Sequence, residues 1–211
     1  MSRLKVDQIE DRSGSGITID DAIKIDTISE KTSGSGVTID GVLIKDGNVD
    51  GVDVSGINQG ITEIDRWALT SNITSNGDIT SNLARVSHTL SGYKGTGMSE
   101  SSGIFTFPST GFWQVSMKVN IEASNDPTAE LSLNATADNS SYSKVMSVTA
   151  GTRAAAGATY FNTDTAVILD IEDVSTDKIK FATDSLATNS TIYGNSAGSA
   201  TAFTFIRLAD T

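Results

Sequence analysis

The chain has 211 residues, no cysteine and a formal net charge of −11, from 26 acidic and 15 basic side chains. The lack of cysteine excludes a disulfide framework and any cysteine-ligated metal site. The negative charge argues against nucleic acid or an anionic lipid surface as a partner. No apolar run has the length of a secretory signal or a membrane helix, so we expect no membrane insertion.

The N-terminal part contains a repeat. Residues 6–20 recur as residues 25–40, and both copies end in Ser-Gly-Ser-Gly, a β-branched residue, then Thr-Ile-Asp. The β-branched runs include Ile17 with Ile19 and Val37 with Ile39, and Gly-, Asp- and Asn-rich segments separate them. This pattern predicts alternating strands and turns with about four residues per strand. One thin ribbon buries little apolar surface, so we expect several chains to stack about one axis as a trimeric shaft.

Between Ile57 and Ala68, apolar residues recur every three or four positions, which indicates one or two helical turns, although Gly60 interrupts them. We interpret residues 57–66 as a neck. From residue 67 the alternation is strand-like: Asn76-Gly77-Asp78 is typical of a turn, and residues 83–90 are expected to form a second short strand.

The longest alternation lies between Gly111 and Ala123. Apolar side chains occupy its odd positions from Trp113 onward, and polar ones its even positions. This period of two is typical of a half-buried strand. The Pro-Ser-Thr-Gly sequence at 108–111 predicts a tight turn from the short run Ile104–Phe107. We therefore expect this strand pair at the core of the C-terminal domain.

The remaining sequence contains short apolar runs separated by Gly, Asn, Asp, Ser and Thr. Eight to ten such strands without a long helix predict an antiparallel sandwich or barrel. The runs are 129–135, 142–148, 158–162, 166–171, 179–183, 191–194 and 201–208.

Several motifs between residues 66 and 211 resemble one known family. They are Gly-Tyr-Lys-Gly-Thr-Gly at 92–97, the Phe-x-Phe-Pro-x-x-Gly-Phe-Trp sequence at 105–113, and the apolar strands at 167–171, 174–181 and 202–208. This region resembles the complement C1q-like and tumour necrosis factor-like jelly-roll head. It departs from that family in its longer acidic turn, 172–177, and in having no collagen-like stalk.

The Ser-Gly-Ser-Gly repeats and the block 60–69 resemble fibre proteins of marine, cyanophage-like tailed bacteriophages. The resemblance implies an all-β homotrimer with a β-repeat shaft and a jelly-roll head. It divides the chain into a virion-attachment segment, a shaft whose repeat begins within 6–20, a neck and a C1q-like head, with bounds 1–20, 21–56, 57–66 and 67–211.

This resemblance also implies partners and a location. We expect the N-terminus to bind a tail or capsid protein of the virion, and the head to bind a bacterial surface polysaccharide or protein. Weak contacts by single heads would add up over many copies in one particle. The alternative is a purely structural fibre that decorates the capsid or spaces tail parts, in which the head serves trimerisation.

The resemblance places one group of residues in the head core or the trimer interface: Phe105, Pro108, Gly111, Phe112, Trp113, Val115, Phe203 and Phe205. For Trp113 both destinations stay open, because the odd face of its strand either fills the sandwich or meets the threefold axis. Tyr142, Tyr193 and Asn195 are candidate receptor contacts, since they lie near predicted loops and carry polar or stacking groups.

Residues with catalytic or metal-binding chemistry are few. His88 is the only histidine, so a Ser-His-Asp site or a histidine metal site is hard to build in one chain. Asp170, Glu172 and Asp173 have the chemistry of a glycosidase carboxylate pair, but solvated turn acids are the simpler interpretation. The repeat aspartates Asp20, Asp40, Asp50 and Asp53 lack the ligand density of a calcium loop. We expect no cofactor and no enzymatic activity.

Overall fold

The computed structural model describes residues 34–35, 37–39, 42–45, 48–49, 52–53, 60–126, 128–152, 158–198 and 200–211. The chain divides into two compact units, residues 1–59 and residues 60–211. Within the described residues there is no helix, and so none long and apolar enough to cross a membrane.

The first unit contains a small antiparallel sheet in chain order. In this sheet Val37 lies opposite Ile44 and Ile39 lies opposite Val42. The first repeat copy, with Ile17 and Ile19, and the expected attachment segment lie outside the described residues, and the trimeric shaft stays a prediction. The strands are β1 (Val37–Ile39), β2 (Val42–Lys45), β3 (Asn48–Val49) and β4 (Val52–Asp53).

The second unit, which we call the head, is built from twelve strands in its described residues. They are β5 (Ile64–Leu69), β6 (Gly77–Asp78), β7 (Leu83–Arg85), β8 (Ser99–Ser101), β9 (Ile104–Thr106), β10 (Gly111–Ser124), β11 (Ala129–Thr136), β12 (Ser143–Ala150), β13 (Ala158–Ile171), β14 (Lys178–Asp184), β15 (Thr191–Ile192) and β16 (Ala202–Ala209).

The head strands form two antiparallel sheets. Sheet A has the order β13-β10-β16-β5-β7, with β15 also paired to β10, and sheet B has the order β12-β11-β14-β9-β8, with β6 paired to β14. Neighbours in a sheet are mostly distant in sequence, as in a jelly roll, where strands alternate between two facing sheets. The expected all-β, antiparallel jelly-roll sandwich is confirmed.

Strand β10 spans 14 residues and organises sheet A. It pairs with β13 from Gly111 opposite Ile171 to Ser124 opposite Ala158, and its other edge pairs with β16. Its odd positions are buried and its even positions are exposed or half-buried, as the alternation predicts. The interior face of β10 is therefore fixed by its sequence period.

The core between the sheets is aromatic. The Phe105 ring packs edge-on against Trp67 and Phe181, at centroid distances of 5.1 and 5.5 Å, and tilted against Phe205 at 5.4 Å. Phe181 of sheet B stacks on Phe203 of sheet A at 3.7 Å. These contacts join the two sheets at the centre of the sandwich.

The structure corrects several local expectations. Residues 60–66 are not helical: β5 begins at Ile64, inside the expected neck, because Ile64 pairs with Ile206 of β16. Gly77 and Asp78 are not a turn but form β6, paired with Thr183 and Ala182. In each case pairing with a strand distant in sequence overrides the local pattern.

Three strand bounds also differ from the sequence-based expectation. The strand expected at 83–90 ends at Arg85, and the one expected to begin at residue 174 begins at Lys178. The separate runs 158–162 and 166–171 are one strand of 14 residues. Polar residues 163–165 look like a break in the sequence, but their backbone continues the pairing with β10.

The sandwich has two ends, which the strand register defines. We call one end proximal. It contains the start of β5, the start of β10 at Gly111, which approaches Ala209 O, and the connections 137–142 and 172–177. At the distal end β10 finishes at Ser124, and the 185–190 and 193–198 segments lie. The chain therefore enters the head at the proximal end.

Candidate functional site

The outward face of sheet A carries exposed apolar side chains. Phe112, Ile168 and Leu208 are 38%, 60% and 46% exposed. Phe112 lies opposite Asp170 and Gln114 lies opposite Ile168, so Phe112 and Ile168 are diagonal neighbours. Leu208 is the extra residue of a register shift in β16, between Arg207, which pairs with Trp113, and Ala209, which pairs with Phe112, so it is exposed beside this pair. We call these three residues the outer apolar patch. Exposed apolar side chains that lie near one another on a sheet face are a candidate interaction site.

The patch continues to an open edge of the sandwich. β13 is the edge strand of sheet A. Its inward-facing Phe161, Val167 and Leu169 pack against the core but remain partly exposed. An edge of 14 residues with unpaired backbone groups is normally covered or paired in a native assembly.

A tyrosine cluster lies on the same face, toward the distal end. The Tyr160 and Tyr193 ring centroids are 6.2 Å apart, and Tyr160 is 62% exposed. The Tyr193 hydroxyl donates to the carboxylate of Glu122, which lies opposite Tyr160. This hydrogen bond, with a smaller contribution from burial, raises the pKa of Tyr193 to about 12.

Next to this cluster, the buried Asn120 Oδ1 accepts no hydrogen bond from the described residues. Its backbone is fully used, because Asn120 N donates to Thr201 Oγ1 and Asn120 O accepts from Tyr193 N. Buried acceptors of this kind normally have a donor. Asn120 Oδ1 is therefore an unsatisfied acceptor within the described part of the single chain, and it is not part of the accessible surface of the face.

The residues assigned to the head core or the trimer interface divide between the core and the outward face of sheet A. The side chains of Phe105, Trp113, Val115, Phe203 and Phe205 are at most 1% exposed and belong to the core. Trp113 packs on Phe107 and donates from Nε1 to Ser109 O at 3.1 Å. It has almost no surface left for another subunit, so the structure favours the sandwich interior for Trp113. Phe112 faces outward.

The connection from β9 to β10 is held by close backbone contact. Gly111 has φ +131°, and a Cβ there would lie 2.4 Å from Ala209 O. Pro108 is half-buried in the same connection. The Arg207 side chain adds a hydrogen bond to Thr110 O at 2.8 Å. Only glycine combines this φ with this approach, which explains its place in the turn motif.

The candidate receptor contacts do not come together. Tyr142 lies toward the proximal end, with Lys180 Nζ 4.3 Å from its ring centroid, and its buried hydroxyl has no partner among the described residues. Tyr193 belongs to the tyrosine cluster. Asn195 Oδ1 accepts from Ala197 N at 2.7 Å, so this amide oxygen closes a turn. Tyr193 and Asn195 flank Gly194 at the distal end.

The carboxylates considered for catalysis are turn residues. Asp173 Oδ1 accepts from the hydroxyl and the backbone N of Ser175, which lowers the pKa of Asp173. The buried Asp177 accepts from the backbone N of Glu172 and of Asp173. Asp170 and Glu172 are exposed. These contacts stabilise the 172–177 turn.

His88 lies after β7 and is exposed, where its Nδ1 accepts from Leu90 N. His88 was expected in the strand at 83–90, but it lies outside β7, which ends at Arg85. Within the described residues no three His, Asp or Glu side chains are grouped as metal ligands.

The sequence did not predict one buried polar cluster, which is centred on Asp65. Asp65 is 1% exposed and accepts from Trp67 Nε1, Arg85 Nε and Met98 N at 2.9, 3.0 and 2.8 Å. Arg85 also donates to Met98 O and stacks on the Tyr93 ring at 4.4 Å. The only signal in the sequence was the alternation of Asp65 with Trp67, which does not reveal a partner 20 residues away.

The glycine-rich 92–97 segment is held by the same region. Thr96 N and Gly97 N donate to the two oxygens of Glu63, at 3.1 and 3.0 Å. The Glu63 carboxylate therefore occupies the two backbone N–H donors that a bound phosphate would need.

Two cavities in the described part of the head are large enough to consider as binding sites. One, of about 330 Å³, lies at the proximal end and combines an apolar floor, Leu169 and Ile179, with the acidic rim Asp170 and Glu172. The other, of about 280 Å³, is lined by residues 72–82 alone. The lining of the second cavity is mainly polar, since eight of its residues are Asn, Asp, Ser or Thr, beside Gly77, Ile73 and Ile79.

Comparison with known proteins shows the fold. No family model and no curated protein matches the chain. Among solved structures, the head is similar to murine APRIL at 12% identity, with a TM-score of 0.51 over 69% of this chain and 98% of that chain. It is also similar to Eiger TNF from S. frugiperda at 11% identity, with a TM-score of 0.54 over 71% and 95%.

The head has a TNF-like jelly-roll fold. A third similarity, to the PRD1 vertex protein P5, has 15% identity and a TM-score of 0.44, over 71% of this chain and 99% of that chain. A TM-score this low does not establish a shared fold. The expected C1q-like and TNF-like architecture of the head is thus confirmed at the level of the fold.

Proposed function

We propose that the chain is a homotrimeric bacteriophage fibre protein of the virion. Its N-terminus attaches to a tail or capsid protein, and its head binds a bacterial surface polysaccharide or protein without catalysis. The support is the fibre-like repeat at residues 6–40, joined to a jelly-roll head with an uncovered face. The single observation that carries the assembly is the outer apolar patch.

A second and third copy of the chain are the occupants that we propose for this face. Ile168 and Leu208 expose about half of their side chains, next to the partly covered β13 edge. Covering both would remove apolar surface from water at roughly 25 cal/mol per Å². Three copies about one axis cover the face and the edge of every subunit without leaving an open surface.

The register of the strands supports the direction of the fibre. β5 begins at the proximal end, so the chain that leads to the N-terminus meets the head there. The distal end, with the 185–190 and 193–198 segments, is the part of the head farthest from that point along the strands. In a fibre attached by its N-terminus, we assign the distal end to the host surface.

The alternative is a purely structural fibre whose head serves trimerisation. One observation favours it: Tyr142, Tyr193 and Asn195 each contact other parts of the same chain. Imaging of particles with labelled antibody against the head distinguishes the two. Fibres scattered over the capsid support the structural fibre, and fibres ringed at the tail support host attachment.

The test of receptor binding uses the full chain. Purified protein is first examined by light scattering, where we expect the mass of three chains. It is then added to host cells before the phage, and free phage are counted. We expect the protein to lower adsorption, whereas heat-unfolded protein does not. Unchanged adsorption at saturating trimer contradicts receptor binding, and a monomeric mass contradicts the assembly.

A further inference from the structure

The 72–82 loop connects β5 to β7 by way of β6 and encloses the cavity of about 280 Å³. Its ends are joined, because Thr70 N donates to Asn82 O at 2.8 Å. A compact surface loop whose ends are close is an Ω-type loop, a class that is frequently functional.

The loop is fastened to the body of the head. Ile73 exchanges backbone hydrogen bonds with Ile192, both at 2.9 Å. The Asn76 amide accepts from Leu186 N and donates to Leu186 O, and Thr183 Oγ1 donates to Ser75 O at 2.8 Å. A cavity held in this way loses little conformational entropy when a ligand enters.

The loop also packs against the distal end. Asn72 Oδ1 accepts from Gly194 N at 3.1 Å, and a Cβ at residue 194 would lie 2.2 Å from Ser71 O. The close approach of these two segments therefore requires glycine. It places the loop beside Tyr193 and Asn195, at the end of the head that we assign to the host.

The polar groups of the loop are largely unused. The side chains of five loop residues make no hydrogen bond within the described part of the chain: Thr74, Ser75, Thr80, Ser81 and Asn82. All five are exposed. Four hydroxyls and one amide, each a donor and an acceptor, therefore line one rigid cavity.

The cavity carries no uncompensated charge. Asp78 is the only titratable residue of the loop, and its Oδ2 pairs with Lys180 Nζ at 2.7 Å. An anion or a metal ion would find no opposite charge or carboxylate set there. Two apolar residues also line the cavity, but Ile79 is only 3% exposed and Ile73 is half-buried against the core, so they offer little apolar surface to a ligand.

We propose that the 72–82 loop binds a neutral sugar unit of a bacterial surface polysaccharide. Such a ligand presents several hydroxyls, each a donor and an acceptor, and no charge, which matches the lining. The volume suits one pyranose ring with its water, at the lower limit of ordinary ligand sites. The biological occupant rests on the proposed function, but binding of the sugar does not.

The test uses saturation-transfer NMR on the full chain with five probes. The methyl glycosides of glucose, galactose and mannose are neutral, and glucuronate and glucosamine are charged controls. We expect transfer to at least one neutral glycoside and none to the charged sugars. No transfer to any neutral glycoside, or equal transfer to charged and neutral sugars, overturns the proposal.

Variants locate the site. The double variant T74V/T80V keeps the side-chain shape and removes two hydroxyls, and S81W fills the cavity. We expect T74V/T80V to weaken binding by about fivefold or more, S81W to abolish it, and the exposed control T89V to stay within about twofold of wild type. Equal binding by S81W and wild type places the sugar elsewhere and overturns the proposal.

Adsorption of phage separates this proposal from the proposed function. If the wild-type chain blocks adsorption and S81W blocks it equally, the chain binds the host through another site, and the loop is not the receptor contact that we propose. If a neutral glycoside binds in the loop but the chain never affects adsorption, the site stands and receptor binding is wrong.

Discussion

The two faces of sheet A are made from the same strands but differ in what covers them. On the inward face, Trp113, Val115 and Met117 of β10 are at most 1% exposed against sheet B. On the outward face, Phe112 and the β13 residue Ile168 are uncovered in a single chain. Burial of the inward face therefore stabilises the fold of one chain, whereas the outward face is available for contacts between chains.

Two adjacent aromatic residues give the strongest test of this difference. We expect W113A to lower the free energy of unfolding by about 3–5 kcal/mol, because it leaves a large cavity in a packed core. F112A removes a ring from the outward face, and we expect less than about 1 kcal/mol when the chain is dilute. The measurement is urea unfolding followed by circular dichroism, over a range of protein concentrations.

The concentration series separates folding from assembly in this pair. The midpoint for F112A should approach that of wild type as the protein is diluted, because only association depends on concentration. The midpoint for W113A should stay low throughout. Equal losses for the two variants at every concentration contradict the division between the faces.

The buried Asp65 tests the inward side with a polar group. We expect D65A to cost about 2–3 kcal/mol, since Trp67 Nε1, Met98 N and Arg85 each lose a charged acceptor. The control is D184A, which removes a salt bridge to Lys144 between side chains that are 50% and 42% exposed, and should cost less than about 1 kcal/mol. Urea unfolding of both variants gives the comparison.

Hydrogen exchange sharpens the Asp65 result. Because Asp65 accepts from Met98 N and Arg85 stacks on Tyr93, D65A should speed amide exchange in residues 93–98. Residues 129–136 of sheet B should keep their protection. Unchanged exchange at 93–98 would show that the cluster does not hold this segment.

The inward face was predictable from the sequence, and much of the remainder was not. A period of two assigns Trp113 and its odd neighbours to one side, because one residue of slip would expose the entire set. The same rule fails at residues 163–165, where an edge strand has polar residues on both faces. Pairing partners such as Ile64 with Ile206 depend on topology, which local sequence does not specify.

The candidate site was predictable only in part. Aromatic residues near predicted loops, such as Tyr193, stand out in the sequence, whereas the cavity of the 72–82 loop depends on distant contacts, such as Asn76 with Leu186. A run of Ser, Thr and Asn looks like an ordinary linker until those contacts close it. Long-range hydrogen bonds therefore decide which polar segments form sites.

The outward face is tested by a charge. We expect I168D to reduce the mass from three chains to one in light scattering at about 10 µM, because burying an unpaired carboxylate costs several kcal/mol per site. The far-ultraviolet spectrum should not change, since Ile168 is 60% exposed within one chain. The control L90D introduces the same charge at a side chain that is 91% exposed but outside the patch. If I168D still has the mass of three chains, the outer apolar patch is not part of the interface.

Asp138 shows that a carboxylate can accept several hydrogen bonds without being buried. We expect its substitution to change stability least. Its Oδ1 accepts from Ser141 N, Thr136 Oγ1 and Ser140 N at 2.7, 2.7 and 2.8 Å, and these bonds, that of Ser141 first, hold the pKa of Asp138 well below its usual range. The folded pKa lies below the unfolded one, so its stabilisation is present above about pH 4 and is lost as the pH falls through the folded pKa.

We therefore expect D138N to be slightly less stable than wild type at neutral pH, with the difference shrinking in acid. Carboxyl carbon NMR should find Asp138 still ionised at about pH 3, below the ordinary pKa of an aspartate. T136V, which removes one of the three donors, should raise the pKa of Asp138 without changing the fold. An ordinary aspartate titration in wild type would show that the 137–142 turn is open in solution, and that exposed carboxylates in this head are not held as firmly as Asp65.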